Sequence, residues 1–127
     1  MVNNQDFYNA IKRDIEIVRG DTMAFNFQLA GLGGVEPTKV TFMIKENHED
    51  ADEDALAVCE LGNGITLQSY DTATDTLTYS LRLSPAKTDD LDLARYYYDL
   101  QIVAGGDVLT LMKGRFTLDY EVTKGVN

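Results

Sequence analysis

Hydrophobic and polar side chains alternate along several short segments of this chain, and a period of two residues is typical of β-strands. Residues 92–103 form the strongest example. One face of this segment carries the hydrophobic side chains Tyr96, Tyr98, Leu100 and Ile102. Its other face carries Arg95, Tyr97, Asp99 and Gln101. The pattern predicts a half-buried strand with several aromatic rings on its inner face.

Similar runs in the rest of the chain bring the number of candidate strands to eight, and no long helix is predicted. The candidate strands are residues 13–18, 22–29, 40–45, 56–61, 65–67, 76–83, 95–103 and 108–120. Turn signals separate most of them. This organisation favours an all-β fold, and we predict an Ig-like or Greek-key antiparallel β-sandwich of about seven to eight strands.

Glycine positions predict how some of these strands connect. The Arg-Gly-Asp turn at residues 19–21 predicts that residues 13–18 and 22–29 form a hairpin. The two glycines at residues 105–106 predict a tight turn after the strand predicted at residues 95–103, which we call the central strand. A bulge near residues 113–114 would place both hydrophobic sets of the last strand on the core side.

The start of the central strand contains a motif of its own. Asp92, Ala94 and Tyr96 give the pattern Asp-x-Ala-x-Tyr, which resembles the tyrosine corner of Greek-key sandwiches. In that motif, a tyrosine near the start of a strand makes a hydrogen bond back to the preceding loop. We therefore expect Tyr96 to bond to the loop before it, and Tyr98 to take the place of the second disulfide cysteine of antibody domains.

The chain has 127 residues, which fits one domain with a substantial core. We divide it into an N-terminal arm or short helix at residues 1–12, the β-sandwich domain at residues 13–123 and a polar tail at residues 124–127. Phe7 and Tyr8 lie in the first segment. Their aromatic rings make them candidates for packing against a neighbouring subunit, and a frayed terminus is the alternative interpretation.

The net charge of the chain is −10, with 21 acidic and 11 basic residues. Binding to a phosphate backbone or to an anionic membrane surface needs a basic surface, so we expect neither nucleic acid nor membrane as a partner. No apolar run approaches the roughly 20 residues of a spanning helix. The N-terminus also lacks the basic start and apolar stretch of a signal peptide, which predicts synthesis in the cytoplasm.

Few side chains suggest catalysis. The single cysteine, Cys59, lies in a predicted strand, and the single histidine, His48, lies in an acidic loop. A Ser/His/Asp set or a Cys/His metal cluster is therefore not predicted. Paired carboxylates for glycoside hydrolysis stay open as an alternative, because their separation cannot be derived from sequence. We predict a protein that is not an enzyme and has no cofactor.

The most acidic segment, at residues 46–54, contains the one candidate cation site. Asp50, Asp52 and Asp54 have the alternate spacing of a calcium-binding loop. However, Ala55 stands where that loop needs glycine, and Leu61 stands where it needs glutamate. A solvated acidic loop is the main interpretation, and a Ca²⁺ site built from the three aspartates is the minor one.

Candidate binding residues lie on the outer face of the central strand. Tyr97 is flanked there by Arg95 and Asp99, a combination that suits a protein interface. Tyr70 is a second candidate surface aromatic.

Five segments carry a resemblance to a known class of proteins. They are IVRGDT at residues 17–22, VTFMIK at 40–45, LRLSPAKT at 81–88, YYYDLQI at 96–102 and LTLMKGRFTL at 109–118. Together they resemble small domains of tailed-phage and prophage structural proteins. These include the N-terminal β-sandwich modules of baseplate upper proteins and related tail accessory proteins of Gram-positive hosts. The resemblance covers about residues 13–123.

The resemblance implies a non-enzymatic structural or assembly protein of a virion tail or baseplate. Its partners would be other virion proteins, with a homo-oligomer among the options. The protein would be present in the bacterial host cytoplasm during assembly and then in the virion. The alternative hypothesis is a β-sandwich module that binds carbohydrate or a cell surface, with Ca²⁺ assistance from the acidic loop as one option.

Overall fold

Residues 10–123 are described by the computed structural model, and strands dominate them. The strands are β1 (Ile11–Lys12), β2 (Ile15–Val18), β3 (Met23–Ala30), β4 (Lys39–Lys45), β5 (Ala57–Leu61), β6 (Gly64–Asp71), β7 (Thr76–Leu83), β8 (Arg95–Ala104) and β9 (Asp107–Asp119). Within this part of the chain, helical structure is limited to two single 3-10 turns, at Asp52–Asp54 and Pro85–Lys87. The all-β prediction is confirmed.

Two predictions concern residues at the ends of the chain. Phe7 and Tyr8, with the rest of the arm at residues 1–9, lie outside the described residues, as does the predicted tail at residues 124–127. Ile11 and Lys12, which the sequence placed in the arm, form the short strand β1 beside β9.

The nine strands form one curled sheet in the order β1-β9-β8-β4-β5-β6-β7-β3, and β2 follows β1 along the same edge of β9. The sheet has two halves, joined where β5 passes into β6 through a turn at residues 62–63. In this turn, the Gly62 amide donates to Ile65 O and the Asn63 amide donates to Glu60 O. Residues of both halves pack into one hydrophobic cluster. This arrangement is compatible with the predicted two-layer sandwich.

Most strand pairs are antiparallel, as predicted, but β1 and β2 run parallel to β9, and the short contact between β5 and β6 is also parallel. The predicted hairpin of β2 and β3 is wrong. The turn itself forms, with Gly20 at φ +84° and the Asp21 amide bonded to Val18 O. However, β2 pairs with β9 and β3 pairs with β7. A turn signal fixes the local reversal of the chain, whereas the partner of each strand depends on distant residues.

The inner faces of the long strands agree with the predicted alternation. Tyr98, Leu100 and Ile102 of β8 are buried, and so are Phe42 of β4 and Tyr79 of β7. Aromatic rings fill the centre of the core: the ring centroids of Tyr98 and Phe42 are 5.4 Å apart, and the Tyr79 ring stacks on Phe27. Burying such rings gives the largest hydrophobic contribution per side chain.

The tyrosine corner predicted at Tyr96 is confirmed. Its hydroxyl donates a hydrogen bond of 2.6 Å to the backbone carbonyl of Asp92, four residues earlier. The Tyr96 side chain is 5% exposed. The bond therefore ties the loop before β8 to the core.

Strand β9 is irregular at two positions. Its pairing with β8 shifts between Leu100 and Gln101, which leaves Leu111 as the bulged residue, close to the bulge predicted at residues 113–114. Gly114 then faces Tyr98 across the pair. A side chain at Gly114 would collide with the carbonyl of Arg13, which accepts a hydrogen bond from the Tyr98 hydroxyl. The absence of a side chain at Gly114 thus lets the link between β1 and β2 reach the core.

Candidate functional site: a groove and a free strand edge

The outer face of the half-sheet formed by β9, β8, β4 and β5 contains a groove of about 950 Å³. Alternation along β8 directs Tyr97, Asp99 and Gln101 into this groove. Each of them has cross-strand neighbours on β9 and β4, so the floor consists of successive rows of side chains. Along a strand, rows that share a face are roughly 7 Å apart.

The first row is centred on Tyr97, which pairs with Arg115 of β9 and Lys45 of β4. Arg115 Nη1 donates a hydrogen bond of 2.7 Å to Tyr97 Oη, and the guanidinium carbon lies 4.5 Å from the Tyr97 ring centroid. The ring of His48 meets Tyr97 edge-on, at a centroid distance of 5.2 Å. Tyr97 is therefore the centre of a fixed cluster of an aromatic ring, a cation and an imidazole.

The second row is centred on Asp99, which pairs with Lys113 of β9 and Met43 of β4. Burial raises the pKa of the Asp99 carboxyl and the charge of Asp52 adds to this rise, whereas the positive charges of Lys45 and Lys113 act against it. Asp99 is thus a half-buried carboxylate between two lysines, able to accept hydrogen bonds from a ligand in the groove.

The charge of the groove differs from that of the whole protein. Five of the 11 lysines and arginines line it, and only four of the 21 acidic residues do so. The basic residues are Lys12, Lys39, Lys45, Lys113 and Arg115. The groove is consequently close to neutral, on a protein whose net charge is −10.

The structure brings together two of the three predicted binding residues of β8. Tyr97 and Asp99 line the groove, whereas Arg95 is exposed opposite Thr117 and does not line it. Sequence reasoning missed Arg115 and placed His48 in a loop without a role. The position of Arg115 depends on the β8–β9 register, for which the sequence offers only the tight turn at residues 105–106 and a bulge predicted two to three residues away from the observed one at Leu111.

The acidic segment after β4 is organised by a lysine. Lys45 Nζ contacts both the backbone carbonyl of Asp50 and the carboxylate of Asp52, each at 2.8 Å. The carboxylate of Asp50 accepts a hydrogen bond from the Asn47 backbone amide, and Asp54 ends the 3-10 turn. Among residues 10–123, no group of three or more histidine, cysteine or acidic residues is placed to hold a metal ion.

The second surface of interest is the outer edge of β3, the last strand in the sheet order, which has no second strand partner among residues 10–123 and which we call the free edge of β3. β3 pairs with β7 over eight residues without a bulge, and its sequence contains neither a charged residue nor a proline. Its outward side chains are small or uncharged and all are exposed: Ala24, Asn26, Gln28 and Ala30.

The face beside this edge is also nearly free of charge. Strands β3, β6 and β7 have eight residues each, and only Asp71 and Arg82 among them are charged. Thr78 and Ser80 of β7 accept hydrogen bonds from the side-chain amides of Gln28 and Gln68. This half-sheet thus presents amides and hydroxyls, on a chain in which a quarter of the residues are charged.

The glycine-rich loop after β3 binds a carboxylate of the protein itself. The amides of Gly33 and Gly34 donate to Asp75 at 2.8 and 3.0 Å, and the Tyr70 hydroxyl donates to it at 2.9 Å. These bonds lower the pKa of Asp75, with the Gly33 amide as the largest cause. Tyr70, the second surface aromatic of the sequence analysis, is therefore part of a loop clamp, outside the groove.

The buried thiol of Cys59 lies in β5 beneath the groove, and burial raises its pKa. A thiol with a raised pKa is a poor nucleophile, because the thiolate is the reactive form.

Compared with known proteins, the sequence matches no protein-family model, and it has no significant match among curated proteins. Across residues 10–123, no helix has the length and apolar character that a membrane crossing needs.

Proposed function

We propose that this chain is a non-enzymatic structural and assembly protein of a phage or prophage virion, in the tail or baseplate, that acts through protein–protein contacts. The observation that supports assembly is the free edge of β3. The virion setting comes from the resemblance of residues 13–123 to tail and baseplate domains.

An open strand edge has a row of backbone N–H and C=O groups that can pair with another strand. Soluble proteins usually protect such edges with lysine, proline, a bulge or a very short strand. β3 has none of these features over eight residues. An unprotected edge of this length is suited to accept an extended segment of a partner, whose backbone would add one more strand to the sheet.

The surrounding surface supports the same conclusion. The centres of protein interfaces are depleted of charged residues, and the half-sheet of β3, β7 and β6 has this composition. The net charge of −10 is carried elsewhere, where it keeps copies of the protein soluble. Partners would therefore meet this protein along β3, and they would be other virion proteins or further copies of the chain.

Co-sedimentation with phage particles tests this proposal. A tagged chain, expressed during particle production in the bacterial host, should sediment with tails or whole particles. Asn26→Lys places a charge in the middle of the β3 edge and should remove the chain from the particle fraction. Asn63→Lys is the matched control, since it makes the same substitution at an exposed residue of the turn before β6, outside strands β3, β6 and β7. A wild-type chain that stays in the soluble fraction, or an Asn26→Lys chain that still joins the particles, would contradict the proposal.

A further inference from the structure

The groove over β8 holds the guanidinium group of Arg115, which has no acidic partner among residues 10–123. The salt bridges among residues 10–123 are Arg19–Glu121 and Lys45–Asp52, and Arg115 takes part in neither. Its Nε is shielded from solvent and has no hydrogen-bond partner among these residues. A partly buried cation without a counter-charge is destabilising. Its lack of a partner is notable because this chain has almost twice as many acidic as basic residues.

The guanidinium is also held in one place. Nη1 is bonded to the Tyr97 hydroxyl, the group lies over the Tyr97 ring, and the Arg115 backbone amide is bonded to Asp14 Oδ1 at 3.0 Å. A donor that is fixed before binding loses little conformational freedom when a ligand arrives. Guanidinium groups match carboxylates particularly well, because the planar fork can make two parallel hydrogen bonds.

Beyond Arg115, the groove continues with groups that bind hydroxyls. Asp99 lies one row further along β8, at roughly 7 Å, and Gln101 lies one row beyond it. Asp99 faces Lys45 and Lys113, which offset its negative charge. Met43 and Val103 add apolar surface to the lining. The volume of about 950 Å³ is at the upper end of the range for small-molecule sites.

We propose that this groove binds an acidic saccharide. Its carboxylate would pair with Arg115, its hydroxyls would bond to Asp99 and Gln101, and the apolar face of a sugar ring would lie against Met43. This groove lies on the half-sheet of β9, β8, β4 and β5, whereas the free edge of β3 belongs to the other half-sheet. The inference therefore does not depend on the assembly function. A failure of one leaves the other standing.

Titration followed by amide NMR tests the inference on the full chain. The probes are short oligomers of galacturonic acid, matched neutral oligomers of galactose, and a short peptide of glutamate residues. We expect saturable shifts at the amides of Tyr97, Asp99 and Arg115 with the galacturonate probe. We also expect binding at least about tenfold weaker for the neutral probe, because it lacks the charge-assisted bonds to Arg115.

Two variants connect the binding to the groove. Arg115→Met should weaken galacturonate binding at least about tenfold, and Arg95→Met, which removes an exposed arginine from the same half-sheet, should leave it unchanged. If Arg115→Met does not fold, Tyr97→Phe removes the hydroxyl that holds the guanidinium and should weaken binding about threefold, since one neutral hydrogen bond is lost. The inference is overturned by absent or non-saturable binding, by equal binding of the neutral probe, by a preference for the peptide, or by a folded groove variant that binds like wild type.

Discussion

Arg13 and Asp14, which link β1 to β2, cross directly over Gly114. We therefore predict that Gly114→Ala lowers the stability of the fold. The added methyl group would lie 2.8 Å from the carbonyl carbon of Arg13, closer still to its oxygen, and 3.0 Å from Asp14 Oδ1. The nearest of these atoms belong to backbone, which cannot rotate away as a side-chain end can. We therefore expect the link between β1 and β2 to lift away from β9.

Three hydrogen bonds would be lost by this movement. The Arg13 amide donates to Lys113 O, the Arg115 amide donates to Asp14 Oδ1, and the Tyr98 hydroxyl donates to Arg13 O. At about 1 kcal/mol for each bond, the free energy of unfolding should fall by about 3 kcal/mol. For a domain of this size, that corresponds to a melting temperature about 10 °C lower.

Urea and thermal unfolding, followed by circular dichroism, measure this change. Gly31→Ala is the control, because a methyl group there meets no atom within 4 Å and costs only the left-handed backbone strain at φ +84°, about 1 kcal/mol. Amide exchange at Arg115 should become faster in Gly114→Ala alone. If Gly114→Ala is no less stable than Gly31→Ala and its Arg115 amide stays protected, the reasoning is refuted.

Three further predictions concern tyrosine and aspartate side chains. Tyr96→Phe removes the bond to Asp92 O and should cost about 1 kcal/mol in urea unfolding, whereas the exposed Tyr120→Phe should cost nothing measurable; equal effects would contradict the corner. Burial raises the pKa of Tyr98 to about 12 from its ordinary value of 10. The neutral hydroxyl therefore contributes its full stability to the folded state below pH 10, and this contribution is lost as the pH rises from 10 towards 12. Unfolding at a series of alkaline pH values should show a smaller loss of stability in Tyr98→Phe than in wild type, because burial also raises the pKa values of Tyr79 and Tyr96, which both variants keep; an equal loss in the two proteins would contradict this account. Because the pKa of Asp75 is lowered, its ionised carboxylate stabilises the folded state above pH 3.8, and this stabilisation is lost as the pH falls through the pKa of the folded state. NMR titration of the carboxyl carbon should give a pKa below 3.8, and Asp75→Asn should speed amide exchange at Gly33 and Gly34.

The inner faces of the strands could be predicted from sequence because alternation is a local property. The aromatic face of β8 and the corner at Tyr96 both follow from patterns within about ten residues. The partners of the strands could not be predicted in this way. β2 joins β9, about 100 residues further along the chain, and this pairing depends on the missing side chain at Gly114.

Only some of the groove residues could be predicted from the sequence, because the others reach the groove through contacts between distant parts of the chain. Tyr97 and Asp99 lie on one strand, so their common face was visible in the sequence. Arg115 reaches Tyr97 only because the bulge at Leu111 sets the register of β9, and a shift by one residue would turn Arg115 to the other side of the sheet. His48 reaches Tyr97 in a loop that Lys45 holds through Asp50 and Asp52. No local pattern encodes such contacts.

Hydrogen exchange of β3 tests the assembly function most directly. Amides of residues 23–30 would be compared between the isolated chain and the chain within purified tails or particles. A strand added to the free edge would satisfy the outward amides of β3, so those amides should exchange more slowly in the assembled state while the amides of the groove strand β8 change little. Incorporation of the chain into particles without added protection along β3 would contradict the central claim.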